Sequence, residues 1–190
     1  MNISRPLVVF SLAALVAGIV GCTAKKDANP LKTAGSENAM IDAAMAALPK
    51  LGTAPTWRVR DLNGVMVNSE QLRGKVVVLD FWATWCGPCR MEIPGYVDLI
   101  RKYGKEGLVV VGVSVDQGGP DVVKPFASKM GINYTLAMSD DAIQMAFGGT
   151  EILPTTFIID RAGQIRDRKI GAVEPADYEK RVLAVLKEKV

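Results

Sequence analysis

Histidine is absent from all 190 residues. Serine–histidine and cysteine–histidine catalysis are thereby excluded, and so is any histidine-ligated metal centre. Cysteine is scarce, with three residues in the chain: Cys22, Cys86 and Cys89. Cys86 and Cys89 have no further cysteine or histidine with which to complete a zinc-type site, and once each cysteine has a role none remains for a structural disulfide. Neither sign of charge dominates. The 23 basic and 20 acidic residues leave a net charge of +3, and the basic ones are scattered, which argues against a nucleic-acid partner. No apolar run reaches the ~20 residues that a membrane-spanning helix needs. No internal repeat is present. The length fits one domain plus an extension, with a sizeable core in the later part.

The extension comes first. Met1–Pro6 carries Arg5, and Leu7–Val20 is apolar with small residues. This reads as a secretory signal over residues 1–21. The run Ile19-Val20-Gly21-Cys22 resembles a bacterial lipobox, in which Cys22 is lipidated and becomes the mature N-terminus. An ordinary cleaved signal and a short uncleaved anchor are the alternatives. The lipobox reading places the chain in the periplasm or on another extracytoplasmic face, attached to the membrane by its lipid. Residues 22–50 then form a polar tether with a short helix. Ser36 is its cap, and Met40, Ile41, Ala44, Met45 and Leu48 are its apolar stripe. The folded domain occupies 51–190.

Within that domain Trp85-Cys86-Gly87-Pro88-Cys89 stands between two unlike patterns. Val76–Trp82 is continuous, β-branched and aromatic, as a buried strand requires. After the cysteines, Ile93, Val97 and Ile100 fall at helical spacing. Cys86 is thus predicted at a helix N-terminus, where unpaired N–H groups and the positive helix end favour the thiolate. The thiolate is the species that attacks disulfides, and Cys89, one turn on, is placed to resolve the product. Asp80 interrupts the apolar strand, where an unpaired carboxylate is costly. Glu92 lies one turn after Cys89 and reads equally as a solvated helix residue. Pro154 precedes a strand over Thr155–Asp160 and on the pattern alone could be a trans proline marking its start.

The remaining pattern is alternating. Trp57–Arg60 and Val65–Val67 flank the turn Asp61–Gly64 and predict a hairpin at the sheet edge. Leu108–Val115 reads as a strand, Asp121–Met130 as a helix and Tyr134–Met138 as a short strand. A helix capped by Asp140 or Asp141 runs to Phe147. Gln164–Ile170 returns antiparallel to Thr155–Asp160, and Pro175 opens a last helix with Tyr178, Val182, Val185 and Leu186 inward.

The segment from Val77 to Pro94, VVLDFWATWCGPCRMEIP, closely resembles the active site of thioredoxin-fold oxidoreductases, and most of all their TlpA/ResA-type branch. The resemblance runs from about Ala54 to the C-terminus. It implies an α/β thioredoxin fold, a central mixed sheet flanked by helices, with an N-terminal β-hairpin and an inserted helix–strand unit. It implies Cys86 as nucleophile, Cys89 as resolving thiol, Asp80 as proton acceptor for Cys89, and Glu92 as an acid that tunes them. Leu153 and Pro154 would form a cis-proline loop beside the cysteines, with Trp85, Gly87 and Pro88 on the same substrate-binding rim. No cofactor is implied beyond a redox-active Cys86–Cys89 disulfide, and no metal. The implied partners are protein thiols and disulfides, apocytochrome c among them, and a membrane thiol relay of the DsbD/CcdA type, with the chain acting as a monomer. A disulfide-forming oxidase and a copper-delivery lipoprotein are the competing functions. A peroxidase is disfavoured because CxxC occupies the site. One departure stands out: Gly112 falls where thioredoxins carry a buried lysine near the aspartate, which leaves the proton network incomplete by the thioredoxin standard and predicts that Asp80 and Glu92 share its work.

Overall fold

A computed structural model describes residues 48–149 and 151–188. The signal, Cys22 and the tether with its helix (Leu48 to Lys50 apart) lie outside the described residues.

The central strand β4 (Val76–Trp82) has all seven residues buried. It pairs in parallel with β5 (Leu108–Ser114) and antiparallel with β7 (Thr155–Ile159). β6 (Thr135–Met138) continues the parallel side, and β8 (Gln164–Ile170) the antiparallel side. A two-residue strand β1 (Gly52–Thr53) closes the edge beside β8, so the six-stranded order is β1-β8-β7-β4-β5-β6. The predicted hairpin is present as β2 (Arg58–Arg60) and β3 (Met66–Asn68), but it forms a separate two-stranded sheet rather than an edge of the main one. It is fastened beside β6 through the Asp61–Ala137 bridge and the Leu62 N–H on the Leu136 carbonyl. Only Val59 of β2 is buried, so the hairpin covers the core with one apolar side chain and its neighbours. The opposite edge of the main sheet belongs to Gly52–Thr53, which carries no hydrophobic pattern to announce it.

Alternation along β4 divides the core. Val77, Leu79 and Phe81 face one layer with Val111, Phe157, Ile143 and Phe147. Val76 and Val78 face the other, against Tyr96 and Leu99 of helix α1 (Gly87–Tyr103) and Val182 and Val185 of helix α4 (Pro175–Leu186). Each fully buried aliphatic here contributes roughly 1.5–3 kcal/mol. Helix α2 (Pro120–Met130) adds Val123 to a third cluster with Trp82, Ile93, Val97 and both cysteines of the motif. Helix α3 (Asp141–Ala146) is capped by the Asp140 side chain, which accepts the Ile143 N–H at 2.9 Å. α1 runs on as one helix through Pro94.

The two ends of the described chain meet at Arg166. This buried guanidinium donates to the Leu48 carbonyl at 3.1 Å and to Glu188 at 2.7 Å, and also reaches Asp160 at 3.3 Å. It sits where the β7–β8 register shifts at Ile158/Ile159, a bulge that turns one additional β8 residue out of the ladder.

Candidate active site

The turn between β4 and α1 is fixed before the helix begins. The Asp116 carboxylate, itself buried, accepts the Thr84 N–H at 2.9 Å and the Thr84 hydroxyl at 2.7 Å. Ser114 donates a third hydrogen bond to it at 2.7 Å. The Cys86 N–H closes the turn on the Ala83 carbonyl at 3.1 Å. Cys86 is the N-cap of α1, with extended φ and ψ of −75° and 109°, and Pro88 occupies the first turn, where its missing N–H costs nothing. The Cys86 sulfur accepts the Cys89 N–H at 3.2 Å. No acidic side chain lies in the first turn to cancel the positive helix end. An anion on this sulfur is therefore stabilised by both a hydrogen bond and the macrodipole. In the structure the two sulfurs are joined as a disulfide, with the Cα atoms 5.3 Å apart.

The pair is almost covered. Cys86 is 5% and Cys89 2% exposed, whereas Trp85 is 69% exposed and Gly87 and Pro88 are open to solvent. The Leu153–Pro154 peptide is cis. Leu153 packs against the cluster that contains both cysteines, and Pro154 is buried. Ile152, one residue earlier, is exposed. Trp85, Ile152 and the Gly87-Pro88 corner thus leave an apolar rim around a recessed disulfide.

Beneath α1 lies a row of residues in register across the sheet: Lys169, Thr156, Asp80, Gly112 and Leu136. Asp80 is buried and accepts the Thr156 hydroxyl at 2.8 Å. Thr156 meets the Tyr96 hydroxyl at 3.3 Å, and Tyr96 donates to Glu92 at 3.4 Å. Glu92 is buried, so it is no solvated helix residue; it takes the Val173 N–H at 3.0 Å and an ion pair from Lys169. Burial pushes the Asp80 carboxyl up from 3.8 to about 7. The Thr156 hydrogen bond and the Lys169 charge pull against that rise, and the Glu92 charge adds to it. The same burial, with Asp80 nearby, holds the Tyr96 phenol well above its usual value, so it serves as a neutral hydrogen-bond link.

Sequence reading placed Cys86, Cys89, Asp80, Glu92, Leu153 and Pro154 around this site, and the fold brings them together with Trp85, Gly87 and Pro88 at the rim. It missed Thr84, Tyr96, Asp116, Thr156 and Lys169. The expectation that the network lacks a lysine is corrected. A Cβ at Gly112 would lie 2.7 Å from Leu136 and 2.9 Å from the Trp82 indole nitrogen, so no lysine fits there. The ammonium comes instead from β8, on the other side of Asp80 in the same row. An inward-facing lysine in an otherwise polar strand was the available signal, but its facing depends on the bulge at Ile158/Ile159, which no pattern marks.

Comparison with known proteins agrees with this geometry. Residues 52–168 match the AhpC/TSA family. The chain is 34% identical over 119 residues to the thiol-disulfide oxidoreductase ResA of Bacillus anthracis, covering 62% of this chain and 68% of that one. To the ResA of Geobacillus kaustophilus it is 33% identical over 135 residues, covering 70% and 76%. Among solved structures it resembles a thiol:disulfide interchange protein of the thioredoxin family from Chlorobium tepidum. The TM-score is 0.67 and the identity 31%, over 74% of this chain and 99% of that one. With its sheet order, its CxxC-capped helix and these relatives, the chain belongs to the AhpC/TSA family, in the ResA-like branch of thiol:disulfide oxidoreductases.

Proposed function

We propose that this thiol:disulfide oxidoreductase works as a reductant of protein disulfides, cycling Cys86 and Cys89 between dithiol and disulfide. The observation that carries the reading is Cys86 as helix cap, its sulfur held by the Cys89 N–H above a buried carboxyl that titrates near neutrality. The Cys86 thiolate attacks one sulfur of a substrate disulfide, and the other leaves as a thiolate. Cys89 then gives its proton to the Asp80 carboxylate and attacks the Cys86 sulfur. The mixed disulfide breaks, the second substrate sulfur leaves, and two electrons have passed to the substrate. A base poised near the working pH suits this transfer. The oxidised pair is restored by an external dithiol, for which a membrane relay of the DsbD/CcdA type is the proposed source. Apocytochrome c cysteines are one substrate class compatible with the exposed apolar rim. Attachment through a lipid on Cys22 at an extracytoplasmic face completes the proposal. Among the described residues no helix is long and apolar enough to cross a membrane.

The first test is the reduction potential of the soluble domain, read by tryptophan fluorescence in thiol buffers. A value of about −250 mV or below fits a reductant, and one near −120 mV identifies an oxidase instead. Cys86→Ser should abolish insulin reduction, and Cys89→Ser should accumulate mixed disulfides on non-reducing gels. Turnover by Cys86→Ser removes the nucleophile assignment.

A further inference from the structure

We propose that Lys169 is a positioning residue of this active site: its buried ammonium pairs with Glu92 and sets the pH range in which Asp80 can take the Cys89 proton. The inference rests on the thiol-exchange reading above and assigns a residue to it.

The geometry is specific. Lys169 stands opposite Thr156 in the β7–β8 ladder, and Thr156 stands opposite Asp80 in the β4–β7 ladder. Paired residues of adjacent strands share a face, so the ammonium lies on the α1 side with Asp80. It is 4% exposed, pairs with Glu92, and sits 5.3 Å from the Tyr178 ring centre. A lysine is rarely buried to this degree without a partner that needs it. The charged and titratable groups facing the row come from each neighbouring element. β4 gives Asp80, α1 gives Glu92 and Tyr96, and α4 gives Tyr178, with Arg181 paired to Asp167 of β8 beyond it. Tyr134, just ahead of β6, packs edge-on against Tyr96. The tyrosines stay neutral, since burial holds Tyr96, Tyr134 and Tyr178 well above their usual values. Three charges therefore decide the site. With Lys169 present, full ionisation of both carboxyls leaves one net negative charge in a buried space. Without it, full ionisation leaves two, and one carboxyl must keep its proton to higher pH. The Lys169 field acts on Asp80 more strongly than the opposing Glu92 field. Asp80 is thus the group whose working range moves. The only proton transferred is the one passing from Cys89 to Asp80.

The test compares wild type, Lys169→Met, Lys169→Arg and the double variant Glu92→Gln/Lys169→Met. Two readouts are taken from pH 5 to 9: the insulin-reduction rate, and the coupled thiol titration of the reduced protein by absorbance at 240 nm. Lys169→Met should move both inflections up by about one pH unit and lower the rate near pH 6.5 about tenfold. Lys169→Arg, which restores the charge, should recover the wild-type inflection. Removing one partner of a buried pair can unfold a protein. The double variant removes both charges, and its inflection should still lie above wild type. An unchanged inflection in folded Lys169→Met overturns the proposal; so does an unchanged inflection in the double variant if the single one does not fold. A wild type that fails to reduce insulin removes the functional reading instead. The titration at 240 nm still judges Lys169 in that case.

Discussion

At the scale of the residue, Asp80 shows stability and chemistry pulling in opposite directions. Its carboxyl is lifted from 3.8 to about 7 by burial. Between those pH values the folded protein holds a proton that the unfolded chain has released. Stability from this group therefore falls as pH rises through the window and stays low above it, by on the order of 4 kcal/mol in all. Asp80→Asn removes the cost. Urea unfolding at pH 8 should show the variant more stable by about 2–4 kcal/mol, with the difference closing toward pH 4. Disulfide exchange should slow by about 10²-fold, since the proton acceptor is gone. Asp80 was legible in the sequence because a charge inside Val76–Trp82 has no other simple use. Glu92 was ambiguous, because a helix acid does not announce which face it occupies. Lys169 was illegible, because its inward direction is set by pairing across β7.

At the scale of the element, the β4–α1 turn owes its shape to side chains outside it. Asp116, beyond the end of β5, takes both hydrogen bonds that Thr84 can give, two residues ahead of the helix cap. Asp116→Asn keeps the volume and loses the charge-assisted bonds, and should cost about 2–3 kcal/mol in denaturant unfolding. Amide exchange at Thr84 and Trp85 should quicken before that of the β4 core does, because the local turn is freed first. Apolar patterning and turn signals together found every long element here; β8, whose buried residues are Arg166 and Lys169, was marked by the Arg161-Ala162-Gly163 turn rather than by an apolar face. The same reading found the Arg58–Asn68 hairpin at a sheet edge but not that its two strands pair only with each other, since with one buried valine nothing in them specifies a longer ladder. It did not find β1, whose two residues are held by backbone pairing to Gln164 and Ile165.

At the scale of the whole molecule, the proposed lipid on Cys22 makes a separate prediction. Cys22→Ala should move the protein from the membrane to the soluble fraction while insulin reduction by the released domain stays within about twofold of wild type. A protein that stays in the membrane fraction rules the lipobox out. The described domain also has a built-in load path. Arg166 clasps Leu48 and Glu188, and β1 pairs with β8 at Ile165, whereas Pro154 and the cysteines lie toward the Ile170 end of that strand, roughly 16 Å further on. A pull through the N-terminal segment, as when a tethered molecule is dragged by a captured partner, is borne in shear by Arg166 and the β1–β8 edge. The tension enters the domain at that edge, roughly 16 Å along β8 from the residues that do the chemistry, so the point of attachment and the point of reaction are kept apart along one strand.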